Sequence, residues 1–241
     1  MPNHYEEFFT VLYHECDPWG RMTPGAALRR VQETSTAHCN TVGLTDDVYQ
    51  KTGTAFLLAR ISLQINQMPT PGEEVHIVTC AYPPEKAQYP RVTTFYGASG
   101  ALLCEACSYW VLVDTASRRI LRKPPEGFPF PFQAPAVPAA AHSTQFEKPT
   151  ETAPQVQLVA AYSLCDKNGH INNARYADLV CDHLPLPLLQ SHPIKQMLLI
   201  YRAEIALGEA FSFSGTAAGD NCYYFEAEKD GKRHFEAYIA F

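Results

Sequence analysis

The sequence predicts an α+β protein built from two similar halves, and three observations support this prediction. First, the segment from Cys16 to Glu33 recurs from Cys165 to Asp182, with Cys, Asp, Gly and Val matching at an offset of 149 residues. Second, each copy of the segment is followed by several stretches typical of β-strands. Third, a stretch rich in proline and alanine separates the two copies. Each half is therefore expected to pack a helix against an antiparallel sheet.

The first half, residues 1–123, shows the order strand, long helix and four further strands. EEFFTVLY predicts the first strand. Thr23 and Pro24 suit the N-cap and first position of a helix that runs to about Asn40. A short helical turn is predicted near 46–51. The remaining strands are predicted for TAFLLARISLQIN, EVHIVTCAY, RVTTFYGAS and ALLCEACSYWVLVD, which end in turn residues.

The second half, residues 151–241, repeats this order after a linker. Residues 124–150 have little periodicity, which predicts a linker that lies extended across the surface. QVQLVAAYS predicts a strand, DKNGH a loop, and ARYADLVCDHL a helix capped by Asn172 and Asn173. Four strands are predicted for KQMLLIYRAEIAL, AFSFSGTAAG, NCYYFEAEKD and RHFEAYIAF, with a hairpin turn in EKDGKR. This layout, two long helices each wrapped by a curved antiparallel sheet, is that of a tandem (double) hotdog fold.

Composition excludes several classes of function. The chain has 241 residues, 46% hydrophobic and 18% charged, which is typical of a soluble globular protein. No apolar run approaches the about 20 residues of a membrane helix, and a net charge of −6 argues against nucleic acid as a partner. The N-terminus, MPNHYEEFF, lacks the pattern of a secretory signal, so we expect a cytoplasmic protein with free thiols. Cys104 and Cys107 form a CxxC without a second pair, so no zinc site is expected.

The two copies of the repeated segment differ where chemistry is possible. The first copy has Trp19 and Arg21 at the positions where the second has Asn168 and His170. If the segment is extended, Asp166 projects to the same side as these two residues, because all three lie two positions apart. A helix N-terminus follows. An amide and free N–H groups can stabilise an oxyanion, and an imidazole can move a proton, which suits acyl transfer.

The residues alone leave simpler interpretations open. Asp166 is shared with the first copy and so is also typical of a structural role. Asn168 could be a turn residue and His170 a hydrogen-bonded loop histidine. Glu204 falls in LLIYRAEIAL, interpreted as part of a long strand with Arg202 on the same face. There it could belong to a charged surface, or it could be a carboxylate placed against the His170 loop.

These residues together resemble the acyl-acyl-carrier-protein thioesterases of plants and bacteria, over nearly the whole chain. The family pattern DxNxHxNNxxY is met by Asp166, Asn168, His170, Asn172, Asn173 and Tyr176. A Tyr-Arg-x-Glu motif is met by Tyr201, Arg202 and Glu204, and Glu204 follows His170 by 34 residues. The resemblance implies a thioester hydrolase that frees a fatty acid, with Asp166, Asn168, His170 and Glu204 as catalytic residues. It implies no metal and no organic cofactor.

One position departs from the family pattern and bears on the mechanism. Many plant members have a cysteine directly after this glutamate, where the present chain has Ile205. Attack by a cysteine at that position is therefore excluded. Water activated by Glu204 is the preferred route, and attack by Asp166 itself through an anhydride is the alternative. His170 would hydrogen-bond the water or the leaving thiolate, and Asn168 would polarise the thioester carbonyl.

The resemblance also implies a substrate pocket and a partner. The acyl chain is expected in the first hotdog, lined by the first helix and the stretches RVTTFYGAS and LLARISLQI. The partner is expected to be acyl carrier protein, which is acidic and would need a local basic patch. Candidate docking residues are Arg118, Arg119, Arg122 and Lys123, with Arg29 and Arg30 on the first helix. Two hotdogs in one chain permit a monomer, and exposed edge strands permit a homodimer.

Three alternative functions stay open. A hotdog thioesterase acting on acyl-coenzyme A would show no preference for the carrier protein. A non-catalytic acyl-binding hotdog would bind without turnover, although it would have no need for Asn168 and His170. A dehydratase of this fold also uses a histidine and an acid, but the DxNxH arrangement does not suit it well.

Overall fold

A computed structural model describes residues 4–126, 128–129, 146, 148–149, 154–219 and 221–241. The first half contains β1 (His4–Thr10), α1 (Pro24–Thr41), α2 (Asp46–Thr52), β2 (Thr54–Ile65), β3 (Glu74–Ala81), β4 (Gln88–Tyr96) and β5 (Leu102–Asp114). The second contains β6 (Gln155–Val159), α3 (Arg175–Asp182), α4 (Leu186–Ser191), β7 (Gln196–Tyr201), β8 (Ala210–Ala217), β9 (Cys222–Lys229) and β10 (Lys232–Ala240).

Within the described residues, the strands of both halves join in one ten-stranded antiparallel sheet. Its order is β1-β3-β4-β5-β2-β7-β10-β9-β8-β6. The second half of this order repeats the first half in reverse, since β6 to β10 take the places of β1 to β5. The two halves meet where β2 pairs with β7, with Arg60 opposite Ile200 and Gln64 opposite Gln196. The chain therefore contains a pseudo-twofold arrangement of two hotdog units.

The two central helices differ in length. α1 spans 18 residues and begins as predicted, with the Thr23 hydroxyl accepting a hydrogen bond of 3.1 Å from the Ala26 N–H. α3 spans only 8 residues and is shorter than predicted. The prolines at 185 and 187 explain the difference, because proline cannot continue a helix and restricts the residue before it. The short helix α4, which begins between these two prolines, was not predicted.

The first strand after α3 also ends earlier than predicted. The sequence predicts a strand over 195–207, but β7 stops at Tyr201. A β-bulge in β10 leaves the His234 carbonyl accepting hydrogen bonds from the N–H groups of both Arg202 (2.9 Å) and Ala203 (3.2 Å). Because two successive N–H groups share one acceptor, the strand pattern is broken and the chain leaves the sheet. The prediction that Glu204 lies within a long strand is therefore wrong.

The predicted linker, residues 124–150, lies largely outside the described residues. Phe128 is buried and packs near Tyr49 and Phe56 of the first half, with ring centroids 6.3 Å apart in both cases. Phe146 stacks on Tyr238 of β10 at 5.0 Å. The division of the chain at 123 and 151 stays a prediction.

The described residues include all eight cysteines, and each is a free thiol. Cys104 and Cys107 are buried in β5. Within the described ranges, no group of three or more His, Cys, Asp or Glu side chains is arranged to hold a metal ion. None of the described helices is long and apolar enough to cross a membrane.

Candidate functional site

The segment from Asp166 to His170 folds into a tight turn. The Asp166 N–H donates to the His170 carbonyl (3.2 Å), and the Gly169 N–H donates to the Asp166 carbonyl (3.0 Å). Gly169 has φ 77°, which glycine adopts without steric cost. The extended segment considered from the spacing is therefore not formed. The run Asp-Lys-Asn-Gly is itself a turn former, because the Asp166 carboxylate accepts a hydrogen bond of 2.8 Å from the Asn168 N–H.

Asp166 joins this turn to the start of α3. Its Oδ2 atom accepts a hydrogen bond of 2.9 Å from the Asn172 side chain, and Asn172 Oδ1 accepts one of 2.9 Å from the Ala174 N–H. Asn172 thus satisfies the N–H group of Ala174, but Ala174 is itself the N-cap of α3 and no side chain caps this helix. The prediction that Asn172 and Asn173 are the capping residues is therefore wrong. Asn173 acts differently from the prediction: its carbonyl accepts a hydrogen bond of 2.8 Å from the Tyr201 hydroxyl.

His170 and Glu204 are brought together by backbone pairing between their two loops. The Ile171 N–H donates to the Ile205 carbonyl (3.0 Å), and the Leu207 N–H donates to the Gly169 carbonyl (2.9 Å). His170 Nε2 lies 3.8 Å from Glu204 Oε1, a distance longer than a direct hydrogen bond. The hypothesis that Glu204 faces the His170 loop therefore agrees with the structure.

The ring of His170 has a defined orientation. Its Nδ1 atom lies 3.1 Å from the Ile171 carbonyl oxygen, which can only accept a hydrogen bond. Nδ1 therefore carries a hydrogen, and in the neutral ring Nε2 presents its lone pair toward Glu204. The side chain of His170 is 20% exposed and that of Glu204 is 37% exposed, so the pair is reachable from solvent.

Asn168 lies at the tip of the turn and is exposed. Its backbone N–H is held by Asp166, as described above. Its side-chain amide has no hydrogen-bond partner within the part of the chain that the structure describes. That amide is consequently available to a ligand.

The corresponding turn of the first half is built alike. The Asp17 carboxylate accepts hydrogen bonds from the N–H groups of Trp19 (2.9 Å) and Arg21 (3.0 Å), and Gly20 has φ 77°. Arg21 takes the place of His170. Its guanidinium pairs with Asp17 (2.9 Å) and donates to the Leu189 carbonyl (2.7 Å). The turn itself is therefore a structural feature of both halves.

Glu204 also has a counterpart in the first half. The Met22 N–H donates to the Pro69 carbonyl (2.8 Å), just as the equivalent Ile171 N–H donates to Ile205. The residue before Pro69 is Met68, so Met68 stands where the second half has Glu204. The first half thus lacks the amide, the imidazole and the carboxylate, although it keeps the turn. This contrast separates residues that shape the loop from residues that can do chemistry.

The basic docking candidates separate into three groups. Arg118 Nη2 lies 3.0 Å from Glu204 Oε2 and so belongs to the site. Arg119, Arg122 and Lys123 are exposed. On α1, Arg29 and Arg30 are engaged in ion pairs, Arg30 with Glu15 at 2.9 Å, so neither is a freely solvated docking group.

Two contacts of Glu204 could not be found from sequence. Arg118 is separated from it by 86 residues, and no local pattern links them. His234 Nδ1 lies 2.9 Å from the Glu204 carbonyl oxygen and supports the backbone of this loop from the bulge in β10. Elsewhere at the edge of the site, Lys167 pairs with Asp46 of α2 at 3.0 Å. The first half therefore contributes side chains to the surroundings of a site whose candidate residues all lie in the second.

The stretches expected to line an acyl pocket combine apolar core residues with buried polar ones. Leu58, Ile61, Leu63 and Phe95 belong to the main hydrophobic core. Arg91, by contrast, is buried and lies within hydrogen-bonding distance of His38 Nδ1 (2.9 Å) and Thr79 Oγ1 (3.1 Å). Burial lowers the pKa of the Arg91 guanidinium. The interior beneath α1 is consequently polar at one point.

The fold and the site define a tandem hotdog protein with an Asp-Asn-His-Glu cluster in its second unit. The chain belongs to the acyl-ACP thioesterase family: the family's N-terminal domain matches residues 2–128 and its C-terminal domain matches residues 147–241.

Similar proteins agree with this assignment. The chain is 27% identical over 230 residues to the chloroplastic palmitoyl-acyl carrier protein thioesterase of Gossypium hirsutum, covering 90% of this chain and 56% of that protein. It thus spans about half the length of the curated relatives it matches. An acyl-ACP thioesterase from Bacteroides thetaiotaomicron matches with a TM-score of 0.88 and 20% identity, over 99% of this chain and 98% of the other. A 12:0-ACP thioesterase from Umbellularia californica matches with a TM-score of 0.89 and 21% identity, over 100% and 97%. These structures confirm the predicted fold class.

Proposed function

We propose that this protein hydrolyses fatty acyl thioesters of acyl carrier protein, releasing the free fatty acid and so terminating fatty acid synthesis. Membership of the family supports the reaction class. The observation that carries the proposal is the distance of 3.8 Å between His170 Nε2 and Glu204 Oε1. This pair of residues occurs in the second repeat and not in the first. Arg21 and Met68 occupy the matching positions of the first repeat.

The side chains of the site suit attack by water. Glu204, as general base, removes a proton from water while the oxygen bonds to the thioester carbon. The Asn168 amide, free of other partners in the described chain, donates to the carbonyl oxygen as negative charge develops there. When the carbon–sulfur bond breaks, the thiolate takes up a proton delivered through His170. The products are a carboxylic acid and a thiol, so the atoms of one water molecule are accounted for.

Two covalent routes fit the site less well. Asp166 already accepts hydrogen bonds at both carboxylate oxygens, which makes it a poorer nucleophile and a better support for the turn. Cys165 is the cysteine nearest to the motif in sequence, but burial and the neighbouring charge of Asp166 raise its pKa. A thiol with a raised pKa is a weak nucleophile near neutral pH. Ile205, where many plant members have cysteine, is fully buried.

Acyl carrier protein is the proposed partner. Its acidic surface would meet the exposed basic residues Arg119, Arg122 and Lys123. A local basic patch is needed because the chain itself has a net charge of −6. A location in the cytoplasm stays a prediction.

Thiol release from acyl-carrier-protein and acyl-coenzyme A substrates of graded chain length tests the proposal. We expect carrier-protein substrates to be preferred, and Glu204→Gln and His170→Ala to lower kcat by about 100-fold or more. Met68→Gln, at the equivalent position of the first repeat, is the matched control and should keep normal turnover. Near-normal turnover in Glu204→Gln would exclude Glu204 as the base. Equal use of coenzyme A substrates would favour an acyl-coenzyme A thioesterase, and tight binding without turnover would indicate a binding protein.

A further inference from the structure

We infer that Arg118 is a positioning residue that orients the Glu204 carboxylate for catalysis; this rests on the proposed function. Arg118 Nη2 donates to Glu204 Oε2 at 3.0 Å. The other carboxylate oxygen, Oε1, is the one that faces His170 Nε2 at 3.8 Å. An ion pair at Oε2 therefore fixes which oxygen points toward the water that His170 and Glu204 would share.

The turn that presents Arg118 is closed by several hydrogen bonds. It connects β5 to the segment after it, and the Asp114 N–H donates to the Arg119 carbonyl (3.0 Å) while the Arg118 N–H donates to the Asp114 carbonyl (2.9 Å). Asp114 Oδ1 accepts two further hydrogen bonds from Ser117, from its N–H and its hydroxyl, both 2.7 Å long. The guanidinium thus extends from a defined turn and not from an unstructured tail.

Arg118 also has a backbone conformation that favours glycine. Its φ is 58°, in the left-handed region where a side chain meets steric resistance. Glycine would occupy this position of the turn without that cost. Residues other than glycine that keep such a conformation are concentrated at functional sites. The arginine at this position therefore costs the turn conformational energy that glycine would not cost.

Kinetic measurements distinguish this role from carrier-protein docking. A docking residue contacts the protein part of the substrate, so its loss raises KM for acyl-carrier-protein and leaves small substrates unaffected. A residue that orients Glu204 acts on the chemical step, so its loss lowers kcat for any thioester. The side chain of Arg118 is 75% exposed, yet its guanidinium is committed to Glu204.

Arg118→Gly is the sharpest test, because it removes the guanidinium and relieves the backbone at the same time. We expect kcat to fall about 10- to 100-fold on both acyl-carrier-protein and the matching acyl-pantetheine, with Tm unchanged or raised. Arg118→Lys should recover part of the loss, since Lys retains the charge without the planar fork. Lys86→Gly is the matched control: Lys86 is an exposed cation with φ 59° in the turn between β3 and β4. It should leave kcat unchanged.

A double variant completes the test. If Arg118 acts through Glu204, adding Arg118→Gly to Glu204→Gln should lower the single-turnover rate by less than threefold, far less than in the wild-type background. Full multiplicative loss would overturn the inference. So would an effect confined to KM for acyl-carrier-protein, which would make Arg118 a docking residue. An absence of turnover in the wild-type protein would contradict the proposed function instead, so the two failures are distinguishable.

Discussion

Arg29 on α1 donates a hydrogen bond of 2.7 Å to Asp178 on α3, and the two residues occupy the same position of the two repeats, 149 residues apart. At this point the pseudo-twofold arrangement pairs opposite charges. Two identical first halves would bring arginine against arginine, and two identical second halves would bring aspartate against aspartate. The pair therefore favours association of a first half with a second half over association of like halves.

Removing this pair should destabilise the contact between α1 and α3. The side chains of Arg29 and Asp178 are 34% and 25% exposed, so we expect Arg29→Met to lower the free energy of unfolding by about 1 kcal/mol. The same substitution in an Asp178→Asn background should cost much less. Urea denaturation of the two single variants and the double variant measures this coupling. Additive losses would show that the two charges do not stabilise each other.

Asp166 and Asp17 allow the structural role of the turn to be separated from its proposed catalytic role. Each carboxylate accepts at least two hydrogen bonds in its own half. We expect Asp166→Asn and Asp17→Asn each to lower the free energy of unfolding by about 1–2 kcal/mol. Asp166→Asn alone should also lower kcat about 10- to 100-fold, because it displaces Asn168 and His170. An equal loss of kcat in Asp17→Asn would indicate general loosening of the protein.

The Glu15 carboxylate is expected to make the free energy of unfolding depend on pH. Burial acts to raise its pKa, but hydrogen bonds from the Arg30 side chain and the Leu12 N–H outweigh burial, and the pKa is lowered. A lowered folded-state pKa means that the stabilisation is complete above the unfolded-state pKa and is lost as pH falls through the folded-state value.

Glu15→Gln is therefore expected to lower the free energy of unfolding by about 1–3 kcal/mol at pH 7. The difference from the wild-type protein should narrow below about pH 4, where the carboxylate takes up a proton in both states. Urea denaturation at a series of pH values measures this. Glu33→Gln is the control, because Glu33 is an exposed carboxylate on α1, the helix that carries Arg30. A difference that stays constant down to pH 3 would contradict the assignment.

Gly215 in β8 is expected to tolerate no side chain. A Cβ atom there would lie 2.1 Å from the ring of Phe225, which is 1% exposed and cannot move into solvent. We expect Gly215→Ala to lower the free energy of unfolding by about 1–3 kcal/mol through overpacking. At Gly97 the nearest atom would be 3.4 Å away, so Gly97→Ala should have a smaller effect. Thermal unfolding of the two variants compares them, and equal Tm values would refute the steric explanation.

Local signals in the sequence predicted much of the fold. Thr23 and Pro24 mark the start of α1, and the Asp230-Gly231 pair forms the hairpin turn between β9 and β10, with φ values of 52° and 69°. Such features depend on neighbouring residues and can be recognised without the rest of the structure.

Features that depend on distant residues were not predictable. The alternating apolar residues after Tyr201 favour a strand, yet the bulge at His234 on another strand ends it. Comparison of the repeats indicates Asn168 and His170 as candidate site residues, and the resemblance to the thioesterase family adds Glu204. It does not show that Arg118 reaches Glu204, because that contact depends on how two halves of the chain pack together.

The hydrogen bond from Arg21 to the Leu189 carbonyl makes the first turn a brace between the two halves. The second turn, with His170, reaches the first half only through the exposed ion pair of Lys167 with Asp46, within the residues that the structure describes. Enzymes commonly sacrifice stability where they keep reactive side chains, which couples gains in one property to losses in the other. Because the hotdog unit is duplicated, one copy of the turn can stabilise the protein while the other copy carries the reactive side chains. Substitutions that reinforce the brace around Arg21 are therefore free of the stability–activity trade-off that constrains the loop of His170.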